Sequence, residues 1–299
     1  MQFIYQYPET LGVEGDMLAA GRVHELAVAA ELAGWHGFAF TEHPAPGTRW
    51  LSGGGHQTLD PFVALGHVAA VTRRLRLLTY LAVAPYRNPL LLAKAAATVD
   101  KLSDGRFILG VGTGYLKAEF HALGVDFDER NALLDEALDA LPLHWHGVPF
   151  SFQGRHFDAR DIIAVPRPCR DPIPIWIGGN SELTLRRVAE RAHGWMPLTS
   201  QVDISATTRT PHLAGVDALG GAIARLRARA GARADDLDIA VAYTDPSVAI
   251  LDRDVGRHRE ALSELAALGV TWLIVPAPAG TAPQSFEFIE GFARRYITP

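Results

Sequence analysis

Eight short apolar segments alternate with amphipathic helical patterns along this chain of 299 residues. Segments that are apolar at nearly every position are typical of strands buried on both faces of a parallel sheet. The predicted strands are 3–6, 37–40, 75–81, 107–111, 175–178, 194–198, 238–243 and 272–275. This repetition predicts the α/β class and, within it, a (β/α)8 TIM barrel, which needs eight strand–helix repeats. An open, doubly wound sheet is the alternative, because the pattern does not show whether the sheet closes.

The helical patterns between these strands carry end signals. Asp60 stands before Pro61, so it is expected to cap a helix that begins with proline. Gly105 follows another pattern and suits a left-handed stop. The predicted helical segments are 19–33, 61–72, 90–102, 131–145, 182–192, 221–230, 257–268 and 284–296.

Three segments interrupt the alternation, at about 43–59, 147–174 and 199–219. The first and third directly follow predicted strands, so they are expected at the C-terminal mouth, where barrel active sites form. The middle one follows a helix and has the pattern of a β-hairpin turning at Gln153-Gly154. We therefore predict a single barrel domain over residues 1–299, with these insertions at its mouth.

Composition and charge exclude several functional classes. Lys and Arg number 28 against 33 Asp and Glu, which gives a net charge of -5 and argues against a nucleic-acid partner. The single cysteine, Cys169, can form neither an internal disulfide nor a thiolate metal cluster, which suits a reducing compartment. The longest stretch without charged residues, 265–286, is interrupted by prolines and glycines and is not a membrane helix. We expect a cytoplasmic protein that acts on a small molecule.

The sequence Thr41-Glu42-His43 ends the second predicted strand. A histidine at this point would face the barrel mouth, where an imidazole can donate or accept a proton near neutral pH. The alternative is a histidine that only caps a loop. Its place at the carboxyl end of a strand makes His43 the leading catalytic candidate among the twelve histidines.

Two glycine-rich segments follow the fourth and fifth predicted strands. In 110–115, Gly-Val-Gly-Thr-Gly-Tyr would let the backbone approach a ligand, or would form only a tight turn. In 175–181, two glycines precede Ser181, a predicted N-cap. A helix N-terminus presents backbone N–H groups to an anion, so a phosphate site is favoured there over a simple capped turn. The third strand also runs long, which indicates a ligand-contacting bulge or a long loop.

Metal and serine-hydrolase chemistry fit poorly. His144, His146 and His156 flank the middle insertion, but no carboxylate stands at a spacing that would complete a metal site. Tyr5-Gln6-Tyr7 occupies the end of the first strand, where a metal-dependent barrel hydrolase usually has His-x-His. No Gly-x-Ser-x-Gly nucleophile turn occurs in the sequence. We therefore predict no metal.

Taken in order, these segments resemble the luciferase-like flavin and deazaflavin oxidoreductases of the bacterial luciferase superfamily. The resemblance covers about two-thirds of the chain and is strongest over 98–114, TVDKLSDGRFILGVGTG. The other matching segments are 34–38, 41–43, 75–79, 89–94, 119–124, 176–181 and 193–195. Segments 86–89, 123–127 and 129–130 look most like the branch of probable coenzyme F420-dependent enzymes.

The resemblance implies a barrel that holds a flavin-type ring, either coenzyme F420 or FMN, at its mouth. It makes His43 the active-site histidine. It places a non-proline cis peptide between Tyr80 and Leu81, in a bulge behind the ring. Tyr115 stands where some relatives have an acid, so that acid's role is not transferred. The implied cofactor-binding residues are Glu42, Tyr80, Leu81, Gly112, Thr113 and Gly114, with Gly178, Gly179, Asn180 and Ser181 receiving the phosphate.

The predicted function is hydride transfer between coenzyme F420 and a small organic substrate. One alternative is an FMN-dependent monooxygenase that uses reduced flavin and O2. Another, from a different class, is a barrel that binds flavin without catalysing turnover. The implied partners are a flavin or F420 reductase and a second copy of the chain in a homodimer.

Overall fold

The computed structural model describes residues 1–199 and 207–297, and in this part of the chain parallel strands close into a barrel. The strand at Gln2–Gln6 pairs with the one at Trp272–Pro276, and the strand at Arg76–Thr79 pairs with those at Gly37–Phe40 and Phe107–Gly112, so the ring has no open edge. The (β/α)8 prediction is confirmed, and the open-sheet alternative is wrong. The barrel strands are β1 (Gln2–Gln6), β2 (Gly37–Phe40), β3 (Arg76–Thr79), β5 (Phe107–Gly112), β8 (Ile175–Gly178), β9 (Gly194–Met196), β10 (Asp238–Ala242) and β11 (Trp272–Pro276).

The third barrel strand is split rather than continuous over 75–81. After β3, the chain leaves the ladder at Tyr80-Leu81 and returns as β4 (Ala82–Val83), which pairs with β5. The peptide between Tyr80 and Leu81 is cis, as the resemblance predicted. The bulge therefore lies at the carboxyl end of the strand, at the mouth of the barrel.

The helices lie outside the barrel, and several depart from the predicted bounds. Asp60 caps its helix by accepting hydrogen bonds from Phe62 N and Val63 N, and Gly105 has a positive φ of 79°, both as predicted. The first pattern is divided at Gly21 into a 3-10 turn and α1. The helices are α1 (Val23–Ala33), α2 (Thr48–Ser52), α3 (Pro61–Val71), α4 (Pro89–Leu102), α5 (Lys117–Ala122), α6 (Arg130–Trp145), α7 (Glu182–Arg191), α8 (Gly215–Ala230), α9 (Val255–Ala267) and α10 (Ala282–Phe292).

Helix α8 begins six residues before its predicted start at 221. Gly220 and Gly221 weaken the helical pattern, since glycine costs about 1 kcal/mol in a helix interior. Leu219 is nevertheless buried on the same face as Ile223 and Leu226, so packing against the barrel outweighs the glycines.

The core has two layers, one between the strands and the helices and one inside the barrel. Trp176 and Trp272 pack edge to face inside the barrel, with ring centroids 5.6 Å apart. Tyr80 and Leu81 pack onto this inner layer from the bulge. The barrel interior is therefore filled with side chains, and Leu81 separates this layer from the cavity at the mouth. The inner layer consists of Ile4, Ala39, Leu78, Ile108, Trp176, Met196, Ala240, Trp272 and Ile274.

The three insertions take different positions. The first contains α2 and lies over the mouth. The middle one forms the hairpin of β6 (Phe150–Gln153) and β7 (Asp158–Ile162), whose connection spans 154–157 rather than Gln153-Gly154 alone. This hairpin packs on the outer side of α6, where Glu136 accepts hydrogen bonds from the backbone N–H groups of His156 and Phe157, and it does not line the mouth cavity. In the third, 200–206 lie outside the described residues.

Within 1–199 and 207–297, none of the helices combines the length and apolar character needed to cross a membrane.

Candidate active site

A cavity of about 280 Å³ opens at the carboxyl ends of the barrel strands. Of the residues predicted to form the site, all except Asn180 line it. His56, Thr184 and Arg209 also reach it, although no sequence pattern pointed to them. The lining residues are Thr41, Glu42, His43, His56, Tyr80, Leu81, Val83, Gly112, Thr113, Gly114, Tyr115, Gly178, Gly179, Ser181, Thr184, Met196, Pro197, Leu198, Thr208, Arg209 and Thr210.

His43 is held on several sides at the end of β2. Its Nδ1 lies 3.2 Å from a carboxylate oxygen of Glu119, and its Nε2 lies 3.5 Å from the Tyr115 hydroxyl. The Trp50 ring of α2 packs against the imidazole, with centroids 4.4 Å apart. Only 9% of the His43 side chain is exposed. The imidazole thus has one nitrogen bound by an acid and the other directed toward a cavity-lining phenol.

Glu119 lies on α5 and is fully buried. Its carboxylate accepts a hydrogen bond from the Tyr86 hydroxyl at 2.7 Å and another from Ala45 N at 3.2 Å, besides contacting His43. Glu119 and Tyr86 both occur in segments that resemble the family, but no spacing in the sequence joins them to His43, which lies 76 residues before Glu119. Only the packing of α5 against the mouth brings this carboxylate to the imidazole.

A second histidine, His56, lies 5.2 Å from His43 between ring centroids. Its Nε2 is 3.3 Å from Glu9, whose carboxylate also accepts hydrogen bonds from Thr41 and Gln6. Burial is the main cause that lowers the pKa of His56 to about 4, and the nearby His43 lowers it further. Burial also raises the pKa of Glu9. His56 is therefore a neutral imidazole at neutral pH.

Glu42 supports the bulge rather than only facing a ligand. Its carboxylate accepts a hydrogen bond from Val83 N at 2.7 Å and forms an ion pair with Arg87. Burial raises the pKa of the Glu42 carboxyl, against the opposing effect of Arg87. The acid beside the active-site histidine therefore ties the end of β2 to the segment that follows Tyr80-Leu81.

Two of the predicted cofactor glycines have a second reason to be glycine. A Cβ added at Gly112 would come within 2.7 Å of Leu81, and one added at Gly178 would come within 2.3 Å of the same side chain. Both distances are shorter than atoms in contact allow. The Leu81 side chain therefore fills the space that side chains of β5 and β8 would otherwise need at these two positions.

The loop 178–181 leads into α7, and Ser181 caps this helix as predicted, accepting a hydrogen bond from Thr184 N at 3.1 Å. Gly179 has a φ of 113°, which favours glycine. A Cβ there would meet the hydroxyls of Thr184 and Thr210, at 3.3 and 3.7 Å. The side chains around Gly179 on the cavity side are thus hydroxyl groups.

Some of the backbone N–H groups that were predicted to bind an anion already donate hydrogen bonds within the protein. Gly179 N donates to Met196 O, and Asn180 N donates to the Thr210 hydroxyl. The Asn180 side chain bonds the backbone at Leu198 and Pro211 and does not line the cavity. Asn180 therefore fixes the loop, and the hydroxyls of Ser181, Thr184 and Thr210 line the cavity beside it, with Ser181 and Thr184 hydrogen-bonded to each other.

Three cations surround the Phe127 ring beside the cavity and are called here the Phe127 cation cluster. Arg130 lies 4.0 Å from the ring centroid, while Lys117 and Arg209 each lie 5.1 Å from it. Arg209 also lines the cavity. Asp128 partly offsets the charge near Arg130, whose pKa is lowered by burial and by Arg209. The rim next to the 178–181 loop is therefore rich in positive charge.

Comparison with known proteins places this geometry in a family. The model of the luciferase-like monooxygenase family matches residues 1–268. The uncharacterized protein Rv0953c of Mycobacterium tuberculosis is 30% identical over 286 residues, covering 90% of this chain and 93% of that protein. The FMNH2-dependent dimethylsulfone monooxygenase of Pseudomonas putida is 30% identical over 175 residues, covering 57% of this chain and 46% of that enzyme.

Solved structures agree on the fold. Monooxygenase RslO1 from Streptomyces bottropensis superposes with a TM-score of 0.77 at 21% identity, covering 100% of this chain and 99% of its own. The coenzyme F420-dependent tetrahydromethanopterin reductase of Methanopyrus kandleri gives a TM-score of 0.71 at 17% identity, with 99% and 98% covered. Because the family model spans most of the chain, this protein belongs to the luciferase-like monooxygenase family, whose members are flavin- or F420-dependent oxidoreductases and monooxygenases.

Proposed function

We propose that this protein is an oxidoreductase that transfers a hydride between coenzyme F420 and a small organic substrate at the mouth cavity. The observation that carries the proposal is the position of His43. Its Nδ1 is bound by Glu119, and its Nε2 is directed toward the Tyr115 hydroxyl, in the wall of the same cavity. A proton-transferring group beside a cavity is what a hydride transfer needs, because a proton must be lost or gained as the hydride moves.

The residues around the cavity fit a flavin-type cofactor. The side chain of Leu81 forms an apolar floor on which a flat ring can lie, with Gly112 and Gly178 on either side. The hydroxyls of Ser181, Thr184 and Thr210 face the loop at the start of α7, where a phosphate would be bound. When bound, such a cofactor supplies the hydride acceptor or donor, and the protein supplies orientation and electrostatics.

The chain's own residues have separable tasks. His43 holds or releases the proton through Nε2, and general acid–base help of this kind contributes about 10²–10⁴-fold to a rate. Helix α2, with Trp50 against the imidazole, limits the access of water to His43. Glu42 keeps the segment after Leu81 in place through Val83 N, so the floor of the cavity stays fixed.

The Phe127 cation cluster favours coenzyme F420 over FMN. Coenzyme F420 carries carboxylates beyond its phosphate, whereas FMN ends at its phosphate. Arg209 joins the cavity wall to the cluster, so an anionic extension leaving the 178–181 loop would meet Arg209 and Arg130. Charge-assisted hydrogen bonds from guanidinium groups to carboxylates are among the stronger polar contacts in proteins.

A second candidate is an FMN-dependent monooxygenase that receives reduced flavin from a reductase. The dimethylsulfone monooxygenase of Pseudomonas putida favours it, because its name assigns FMNH2 and it is 30% identical over 175 residues. The cavity accommodates either ring, so the choice between the two candidates depends on the anionic rim.

Separate titrations of the purified protein with coenzyme F420 and with FMN, each oxidised and reduced, test the proposal. We expect F420 to bind at least tenfold more tightly, and Arg209→Ala and Arg130→Ala to weaken F420 binding while leaving FMN binding unchanged. Arg186→Ala, on the exposed face of α7, is the matched control. Tighter binding of FMN, with substrate-dependent O2 consumption, would establish the monooxygenase instead. Binding of either cofactor with no turnover on a broad panel of alcohols and carbonyl compounds would favour a barrel that binds flavin without catalysing turnover.

A further inference from the structure

The mechanism above uses His43 but leaves the buried Glu119 without a task. We propose that Glu119 is a positioning residue that, together with Tyr86, fixes the ring of His43 with Nδ1 bound and Nε2 turned to the cavity, so that Nε2 receives a proton from an O–H or N–H group being oxidised. This inference rests on the proposed function, because it assigns the direction in which His43 moves the proton.

The hydrogen bonds around Glu119 determine what the carboxyl group does. Ala45 N can only donate, and it lies 3.2 Å from Oε1. The Tyr86 hydroxyl lies 2.7 Å from Oε2, the oxygen that also contacts His43 Nδ1. Donors on both oxygens suit an ionised carboxylate, which accepts hydrogen bonds and donates none.

Tyr86 stays in the role of donor. Its side chain is buried beside Phe120, and burial raises the pKa of its hydroxyl well above the ordinary value, with the bond to Glu119 raising it further. A phenol that keeps its proton acts as the donor in the hydrogen bond to the Glu119 oxygen. Glu119 is thus held from two elements, the turn that contains Tyr86 and the loop after β2 that contains Ala45.

The tautomer of His43 follows from this arrangement. A carboxylate at Nδ1 requires the proton on that nitrogen, so the lone pair of the neutral imidazole is on Nε2. The groups that face His43 are Glu119, the Tyr115 hydroxyl at 3.5 Å, the His56 ring at 5.2 Å, the Trp50 ring and, by its charge, Glu9. Of these, Glu119 is the carboxylate in direct contact with the ring.

The oxidation moves a hydride and a proton from the substrate to two different acceptors. When bound, a flavin-type cofactor would take the hydride from a C–H bond of the substrate and would be reduced by two electrons. The neighbouring O–H or N–H bond breaks, its proton goes to His43 Nε2, and a C=O or C=N bond forms. The imidazolium that results is stabilised by the Glu119 carboxylate, as an acid orients and stabilises the histidine of a catalytic triad. In the reverse reaction the imidazolium returns the proton.

The pair His56–Glu9 provides a matched control within the same cavity. It also joins an imidazole to a carboxylate, at 3.3 Å, but Glu9 is bonded to His56 and acts on His43 through its charge. A general loss of negative charge at the mouth would change the titration of both histidines. If Glu119 positions His43, its loss should change mainly His43, through the hydrogen bond at Nδ1.

The test is an NMR titration of the histidine side chains in cofactor-free protein, comparing wild type with Glu119→Gln, Tyr86→Phe and Glu9→Gln. We expect the titration midpoint of His43 to fall by about one pH unit in Glu119→Gln, since the imidazolium loses its counter-charge. Tyr86→Phe should raise that midpoint, because the carboxylate loses one donor. Glu9→Gln should move the midpoint of His56 more than that of His43.

Kinetics on the cofactor-loaded protein complete the test. Glu119→Gln is expected to lower kcat at least tenfold and to shift the acid limb of the kcat/KM profile with the NMR midpoint, while the cofactor Kd changes less than twofold. Unchanged His43 midpoints in folded Glu119→Gln and in Tyr86→Phe would overturn the inference, as would equal losses of kcat in Glu119→Gln and Glu9→Gln. If wild-type protein binds no F420, the proposed function fails by itself, because the titration of His43 needs no cofactor.

Discussion

The two sides of the mouth cavity are built from different chemistry. On the side of β2 and α5, two imidazoles each pair with a carboxylate at about 3 Å, the buried Glu119 and the partly buried Glu9, and the nearby phenol of Tyr115 completes the wall. On the side of β8 and α7, the loop 178–181 presents hydroxyls and a glycine backbone. We call these the proton side and the loop side. The comparison indicates that proton transfer and cofactor binding depend on different residues, so substitutions should separate them.

The largest expected effect is on the proton side. His43→Ala removes the imidazole without touching the loop side, and turnover is expected to fall about 10²–10⁴-fold, the usual contribution of a general acid or base. Steady-state kinetics give the loss of kcat, and fluorescence titration gives the cofactor Kd, which should change less than twofold. Turnover close to the wild-type rate would make His43 a loop histidine and remove the basis for the proton side.

The next effect is on the loop side. Gly179→Val places a branched side chain among the hydroxyls of Thr184 and Thr210, where the phosphate is expected, so cofactor affinity should fall at least tenfold. Gly54→Val is the control for backbone strain, because Gly54 has a similar φ of 101° with no atom within 4 Å of an added Cβ. If Gly179→Val and Gly54→Val lost the same amount of apo Tm, and Gly179→Val lost no more cofactor affinity than the control, the loop would be a simple turn.

Gly178, one residue away, should behave differently. Gly178→Ala pushes its methyl group into Leu81, so the free energy of unfolding is expected to fall by about 1–3 kcal/mol, the usual cost of overpacking. Urea denaturation measures this loss, and Leu81→Ala in the same chain should recover part of it. If the two changes were additive, Gly178 would not be glycine for the sake of Leu81.

The sequence predicted the barrel well because its strands are buried on both faces and read as apolar runs. It predicted the strand-end residues of the site for the same reason, since His43, Leu81 and Gly178 each come just at or after such a run. The predicted helix bounds were less accurate where tertiary packing outweighed local helix propensity, as at the start of α8.

The rest of the site depends on contacts between distant segments. Glu119 contacts His43 and Tyr86 contacts Glu119, each from a different element, and no spacing within the chain predicts these bonds. Glycine patterns were also ambiguous, because a glycine can make room either for a bound ligand or for a neighbouring side chain. Gly112 and Gly178 make room for Leu81, while Gly179 faces the cavity hydroxyls. Only the folded structure distinguishes these cases.

The smallest expected effect concerns pH. His56 has its pKa lowered from 6.5 to about 4, so the folded protein leaves it neutral where the unfolded chain protonates it. The unfolded state therefore binds more protons between these values, and stability is lost as pH falls through this window. Between pH 7 and pH 5.5 this one group should lower the free energy of unfolding by about 1 kcal/mol. Urea denaturation at both pH values measures it, and His56→Gln should lack this part of the loss.

The same measurement separates the two sides of the cavity. Because the charge of His43 helps to lower the pKa of His56, His43→Ala should make the pH dependence shallower. Gly179→Val should keep the wild-type slope, since no titratable group of the loop side takes part. An equal loss of stability in wild type and in His56→Gln would mean that water reaches His56 in the folded protein. The proton side would then be more open than the packing of Trp50 and His43 indicates.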